Sequence, residues 1–205
     1  DCLIQWGYGR SKRRNKMSNT IFLIIGESGS GKTTLVSSLE KQKKLKSIQS
    51  YTTRKPRYED EYGHIFISEN EFNSLEDIAA YTEYHGNKYC ATSQQVEEND
   101  LYVIDIDGVD FFRNAYKGNK NVRVIYIKSD IGTRFDRMVE RGEKDGLTHS
   151  QASDIAVERY KNDIIAFQTA KEKADFIVYN NSDTVFQDVV TKVWNYIREE
   201  SREDG

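Results

Sequence analysis

The chain has 205 residues, and it is poor in the residues that staple or interrupt a fold: one proline and two cysteines. Cys2 and Cys90 are too far apart to read as a metal-binding spacing, and two thiols do not make a disulfide scaffold. The expectation is two free thiols in a reducing cytoplasm. No apolar run approaches the roughly 20 residues that span a bilayer. The longest is Ile21 to Ile25, so no membrane partner is expected. A strong charge of one sign is also missing: the formal net charge is −3, which gives no whole-chain pull towards nucleic acid or anionic lipid. What is present is 37% hydrophobic and 31% charged residues, the balance of a packed globular domain.

The first methionine is Met17, and a basic run, Arg10 to Lys16, lies before it. As a nucleic-acid arm it would stand alone. As a targeting peptide it lacks an apolar region and a cleavage pattern. Arg13-Arg14 can be encoded AGG-AGA, a bacterial ribosome-binding sequence just upstream of a Met17 start codon. Residues 1–16 are therefore expected to be a non-native translated leader, and residues 17–205 the functional domain.

Four apolar runs recur along that domain: Ile21 to Ile25, Leu101 to Ile104, Val122 to Ile127 and Asp175 to Tyr179. Helical patterns lie between and after them. The first spans Thr33 to about Lys41. Ile131, Phe135, Met138 and Val139 share a second helical face; Val185, Val189, Val193 and Ile197 share a third. Strands alternating with helices imply an α/β fold whose parallel sheet is covered on both sides. Ligands in such sheets sit beyond the carboxyl ends of the strands, where Asp105, Asp107 and Asn180 fall.

Gly26-Glu27-Ser28-Gly29-Ser30-Gly31-Lys32-Thr33 fits the phosphate-loop pattern G-x-x-x-x-G-K-[ST] and stands between a strand and a helix, as that pattern requires. Glycines let successive N–H groups turn towards phosphate oxygens, and the positive end of the helix faces the same anion. Lys32 is placed for the β- and γ-phosphates of ATP, and the Thr33 hydroxyl for Mg²⁺. Further on, Arg54 and Arg57 bracket Pro56 in Ser50 to Arg57. Two guanidiniums on a stiff extended segment suit bidentate binding of a second phosphate.

Gly26 to Thr34, Ser50 to Arg57 with Gly63 and Phe66, His85-Gly86-Asn87-Lys88-Tyr89, and Ile104 to Gly108 together resemble the guanylate kinase family over most of residues 20–197. The resemblance implies a three-layer P-loop sandwich with a nucleoside-monophosphate-binding insert of about 50–92 and a lid of about 130–160. It implies that Arg54, Arg57 and Tyr89 hold the acceptor's phosphate and that Ser50 and Asp107 face its base. Asp105 would order Mg²⁺ beside Lys32. Arg137, Arg141 and Arg159 resemble the lid arginines, and Asn180 a contact to adenine. The partners so implied are ATP and a nucleoside monophosphate, most simply GMP or dGMP, in a cytoplasmic monomer or homodimer that binds neither nucleic acid nor membrane.

Departures from the family pattern gather where the base is read. Its guanine-reading carboxylate falls on Ala80, and Glu83, three residues on in an extended segment, points to the opposite face. Its small hydroxyl falls on Ala91, and a phosphate-binding tyrosine on His64. These keep open a kinase of the same fold that acts on another deoxynucleotide or a sugar phosphate. A non-catalytic guanylate-kinase-like module that binds protein is a further alternative, although it would not need Lys32, Thr33, Asp105 or the lid arginines.

Overall fold

The computed structural model describes residues 19–56, 59–84 and 86–203. Residues 1–16, Met17, Arg57 and His85 lie outside the described residues. In chain order the elements are β1 (Thr20–Ile25), α1 (Lys32–Lys43), β2 (Ser50–Thr52), β3 (His64–Phe66), α2 (Glu69–Asn73), β4 (Ile78–Tyr84), β5 (Asn87–Thr92) and α3 (Ser93–Glu98). They continue with β6 (Leu101–Val103), α4 (Ile106–Ala115), β7 (Asn121–Lys128), α5 (Ile131–Lys144), α6 (His149–Ala166), α7 (Ala170–Lys173), β8 (Phe176–Tyr179) and α8 (Phe186–Glu203).

The four apolar runs form one parallel sheet in the order β6-β1-β7-β8. Every residue of β1 is buried, and its alternation divides the core in two. Ile21, Leu23 and Ile25 meet Ile106, Val109 and Phe112 of α4 on one face. Phe22 and Ile24 meet Leu35 and Leu39 of α1 and Val189, Val193 and Ile197 of α8 on the other. Helices on both faces of a central parallel sheet make the three layers expected of an α/β P-loop kinase fold.

A second sheet, β3-β2-β5-β4, is built wholly from the stretch Ser50 to Thr92. It is mixed: β2 runs parallel to β3 and antiparallel to β5, and β4 runs antiparallel to β5. Helices α5 and α6 form a hairpin with a small core of Met138, Val139, Ala152 and Ala156. Their approach is close enough that a Cβ on Gly142 would stand 2.7 Å from the Ala152 Cβ. Each helix is started by a side-chain cap. Asp130 accepts from the Thr133 N–H at 2.8 Å, and Thr148 forms a capping box with Gln151.

Two assignments made from helical periodicity are corrected. Ile131 is 56% exposed, while Thr133 and Arg134 are buried in its place. The face of α5 that meets the phosphate loop is polar, and an apolar count cannot find it. Val185 precedes α8 and is 63% exposed. The other residues assigned to that face, Val189, Val193 and Ile197, are buried.

Candidate active site

The site begins where β1 ends. The chain turns through Gly26 to Gly31 and enters α1 at Lys32. Gly29 and Gly31 have φ of 77° and 101°, the left-handed region that only glycine adopts without strain. Space makes the same demand. A Cβ on Gly29 would come within 2.6 Å of the Arg134 carbonyl oxygen, and one on Gly31 within 2.5 Å of Asn180 Nδ2.

The loop is held by its neighbours. The Asn180 side-chain N–H donates to the Ser30 carbonyl at 2.8 Å, and an Arg137 N–H donates to the Gly29 carbonyl at 3.3 Å and the Asn180 carbonyl at 3.1 Å. Asn180, expected at adenine, is thus buried and committed to the loop. Ser30 is fully buried, and its hydroxyl has no hydrogen-bond partner among the described residues. Thr33 and Thr34 are exposed on the first turn of α1.

Lys32 is half-buried, and its ammonium donates to the carbonyls of Gly26 at 2.5 Å and Glu27 at 3.2 Å. Burial lowers its pKa to about 8, against the attraction of Asp163 and Glu27, which raises it. Those two acids belong to a buried network. Tyr126 donates to Glu27 at 2.7 Å. The Arg134 guanidinium bridges Glu27 at 3.3 Å and Asp163 at 3.2 Å. The Ser28 N–H donates to Asp163 at 2.9 Å. Burial pushes the Tyr126 phenol and the Asp163 carboxyl up.

A cleft of about 310 Å³ runs from this loop to the second sheet, a size that suits a small ligand. Gly26, Lys32, Asp105 and Asp163 line it on the loop side, and Ser50, His64, Thr82 and Tyr89 on the sheet side. Ser50 and His64 are register partners on β2 and β3, and the Ser50 hydroxyl and His64 Nδ1 are 2.9 Å apart. The Tyr89 ring lies 5.6 Å from the His64 ring. Arg54 follows β2, forms a bidentate pair with Glu61 at 2.8 and 3.1 Å and lies over the Phe66 ring. The hydrogen bond to Glu61 is the main cause that raises its pKa.

Asp105 caps α4, accepting from the Gly108 N–H at 2.5 Å, and is exposed to the cleft. Asp107, expected to face the base, lines a neighbouring depression with Asn162, Gln168 and Lys173 and is not brought into the cleft. Arg141 is exposed on α5 but near enough to Lys32 to lower its pKa. Arg159 is half-buried on α6. Ala80 and Ala91 are buried opposite each other, while Glu83 is exposed on the other side of β4.

Three residues of the site were missed from sequence: Arg134, Asp163 and Thr82. The one signal for Thr82 was its period-two relation to Ala80. Arg134 lies three residues before Arg137, one turn of α5 away. Asp163 gave no signal.

The chain is similar to proteins of one known family. Residues 18–200 match the family model described as guanylate kinase. The guanylate kinase of Cupriavidus metallidurans is 27% identical over 86% of this chain and 82% of its own length. That of Bartonella henselae is 28% identical over 84% of this chain and 78% of its own. That of Geobacter metallireducens is 34% identical, over 54% of this chain and 60% of its own. The crystal structure of guanylate kinase from Anaplasma phagocytophilum superposes with a TM-score of 0.53, at 16% identity, over 89% of this chain and 86% of that one. That likeness is one of fold, and the family model covers nearly all the described residues. This chain belongs to the guanylate kinase family.

Proposed function

We propose that the protein transfers the γ-phosphoryl group of ATP to GMP or dGMP, giving ADP and GDP or dGDP. The observation that carries this is the single cleft in which Lys32 and the Gly26 loop face Ser50, His64 and Tyr89 of the second sheet. A donor's phosphates and an acceptor's phosphate can meet only where their two sites share one space. An oxygen of the acceptor phosphate bonds to the γ-phosphorus while the bond from that phosphorus to the bridging β-oxygen breaks. The acceptor needs no general base, because its phosphate is ionised above a second pKa of about 6. What the chain must supply is positioning and cationic charge.

Lys32 is the cation on the donor side. Arg137 lies at the loop, and Arg141 and Arg159 stand on the helices beside it. Arg54, Arg57 and Tyr89 are the acceptor-phosphate set, with Arg57 assigned from sequence alone. Ser50 is the base contact that lines the cleft, and Asp107 is assigned from the family pattern only. Residues 50–92 serve as the acceptor insert, and α5 with α6 as the lid.

Mg²⁺ bound with ATP would offset the charge of the phosphates. Its fit rests on the exposed Thr33 hydroxyl and the exposed Asp105 carboxylate. Among the described residues no group of three or more acidic, histidine or cysteine side chains could hold a metal ion. Oxygen donors few in number match an ion that keeps its waters and takes further ligands from phosphate. No helix among the described residues is long and apolar enough to cross a membrane. The buried free thiol of Cys90 accords with a cytoplasmic place.

Ala80 and Ala91 favour a second reading, in which another nucleotide is the better acceptor. A panel of GMP, dGMP, AMP, dTMP and CMP with ATP decides between them. The highest kcat/KM is expected for GMP or dGMP, and a pyrimidine in that place would establish the second reading.

A further inference from the structure

We propose that Asp163 occupies the donor-phosphate seat of this enzyme and competes with the nucleotide for it, so that one carboxylate on α6 sets the affinity of the loop. This rests on the reading of Gly26 to Thr33 as that seat. A phosphate loop binds anions through backbone N–H groups, the positive end of its helix and a lysine. Asp163 takes one part of such an anion, the loop N–H of Ser28, and stands in the same cleft as Lys32. Its Oδ2 accepts the Ser28 N–H at 2.9 Å, and its Oδ1 lies 3.5 Å from the Ser28 hydroxyl. Its charge acts on Lys32 more strongly than any other, Glu27 included. It lines the same cleft as Gly26 and Lys32, with its side chain only 13% exposed.

Burial pushes the Asp163 carboxyl up, and the Ser28 N–H, Arg134 and Lys32 offset part of that cost. Arg134, itself 4% exposed, holds the same carboxylate oxygen at 3.2 Å. The contact joins α6 to the loop across 135 residues. A phosphate oxygen that takes the Ser28 N–H must therefore displace Asp163. The same displacement breaks the Ser28–Asp163 contact that ties α6 to the loop. A site whose competent state is populated only in part binds with an affinity reduced by that fraction.

A merely structural role for Asp163 leads to the opposite expectation. If its carboxylate only braced the loop through Ser28 and Arg134, removing the charge would loosen the loop and weaken every ligand. Competition instead strengthens ligands that carry phosphate and no others.

The test is calorimetric binding of ADP, inorganic pyrophosphate and adenosine to the full chain and to Asp163→Asn and Asp163→Ala. Charge-assisted contacts are worth about 10-fold or more. Both variants are expected to bind ADP and pyrophosphate about 10-fold tighter by a common factor, with adenosine unchanged. The KM for ATP should fall more than kcat changes. Equal or weaker pyrophosphate binding, or an equal gain for adenosine, overturns the inference and leaves the donor seat standing. Failure of all three proteins to bind ADP or pyrophosphate overturns the donor seat, and the inference with it. If both variants unfold, the full chain still decides. Its Ser28 amide and Asp163 carboxyl resonances are expected to move together as pyrophosphate saturates the loop, and a stationary carboxyl resonance overturns the proposal.

Discussion

Ala80 and Ala91 are direct partners across the antiparallel β4–β5 pair, at 2% and 0% exposure, on the side of β4 that carries Thr82 into the cleft. The two departures from the family's base-reading pattern thus lie at one place. A site that hydrogen-bonds a substrate group rejects analogues lacking it by roughly 10⁴-fold or more. With no carboxylate at Ala80, the preference for GMP over AMP is expected to be about 10²-fold, since part of that discrimination is lost. Ala80→Glu should sharpen it and lower the melting temperature, because the new carboxylate enters a buried position. Ratios of kcat/KM for GMP and AMP on both proteins check this. A wild-type preference near 10⁵-fold would count against it.

Lys32 gives the site a pH dependence of definite sign. Its pKa is lowered to about 8 by burial, so in the unloaded protein the ammonium is lost above that pH. The unfolded chain keeps its proton up to the ordinary lysine value of 10.5, so it binds more protons between the two values. This group therefore makes the unloaded protein more stable as pH rises through that window, relative to Lys32→Met. Phosphate binding needs the charged form. ADP affinity is expected to fall above pH 8, by up to about tenfold per pH unit. In Lys32→Arg that decline should be absent, since a guanidinium stays protonated. Calorimetric Kd values at three alkaline pH values test it.

Arg54 and Glu61 form a bidentate pair with side chains 13% and 6% exposed. Removing one partner of such a buried pair costs about 3–5 kcal/mol, because the remaining buried charge loses a bidentate contact. Arg54→Ala is therefore expected to lower both stability and affinity for every monophosphate. The double change Arg54→Met with Glu61→Leu should recover stability but not affinity, which separates folding from phosphate binding. The loss should be similar for GMP, AMP and CMP, about 10- to 150-fold, since each presents the same group. A loss confined to one base would reassign Arg54.

The central sheet was legible because its strands are buried on both faces and read as unbroken apolar runs, as in Ile21 to Ile25. The second sheet was not legible as strands. Ser50–Thr52 and His64–Phe66 are three residues each and carry polar side chains. The glycine turn between β1 and α1 was legible because its glycines, Lys32 and Thr33 are contiguous. Asp163 was hidden because its partner Ser28 lies 135 residues away, and nothing local marks an acid on an exposed helix as a loop ligand. Asn180 was placed at the loop end of β8, but its burial against Ser30 depends on how closely Gly31 lets it approach.

The most direct measurement is nucleotide turnover by the wild-type chain and Lys32→Ala, with ATP and GMP supplied together and ADP and GDP both quantified. The wild type is expected to form ADP and GDP in equal amounts. Lys32→Ala should fold and lose about 10²–10³-fold or more in kcat, as when one preorganised donor to developing charge is removed. Wild-type turnover that yields ADP without GDP, or a Lys32→Ala protein as fast as wild type, would contradict phosphoryl transfer at this loop.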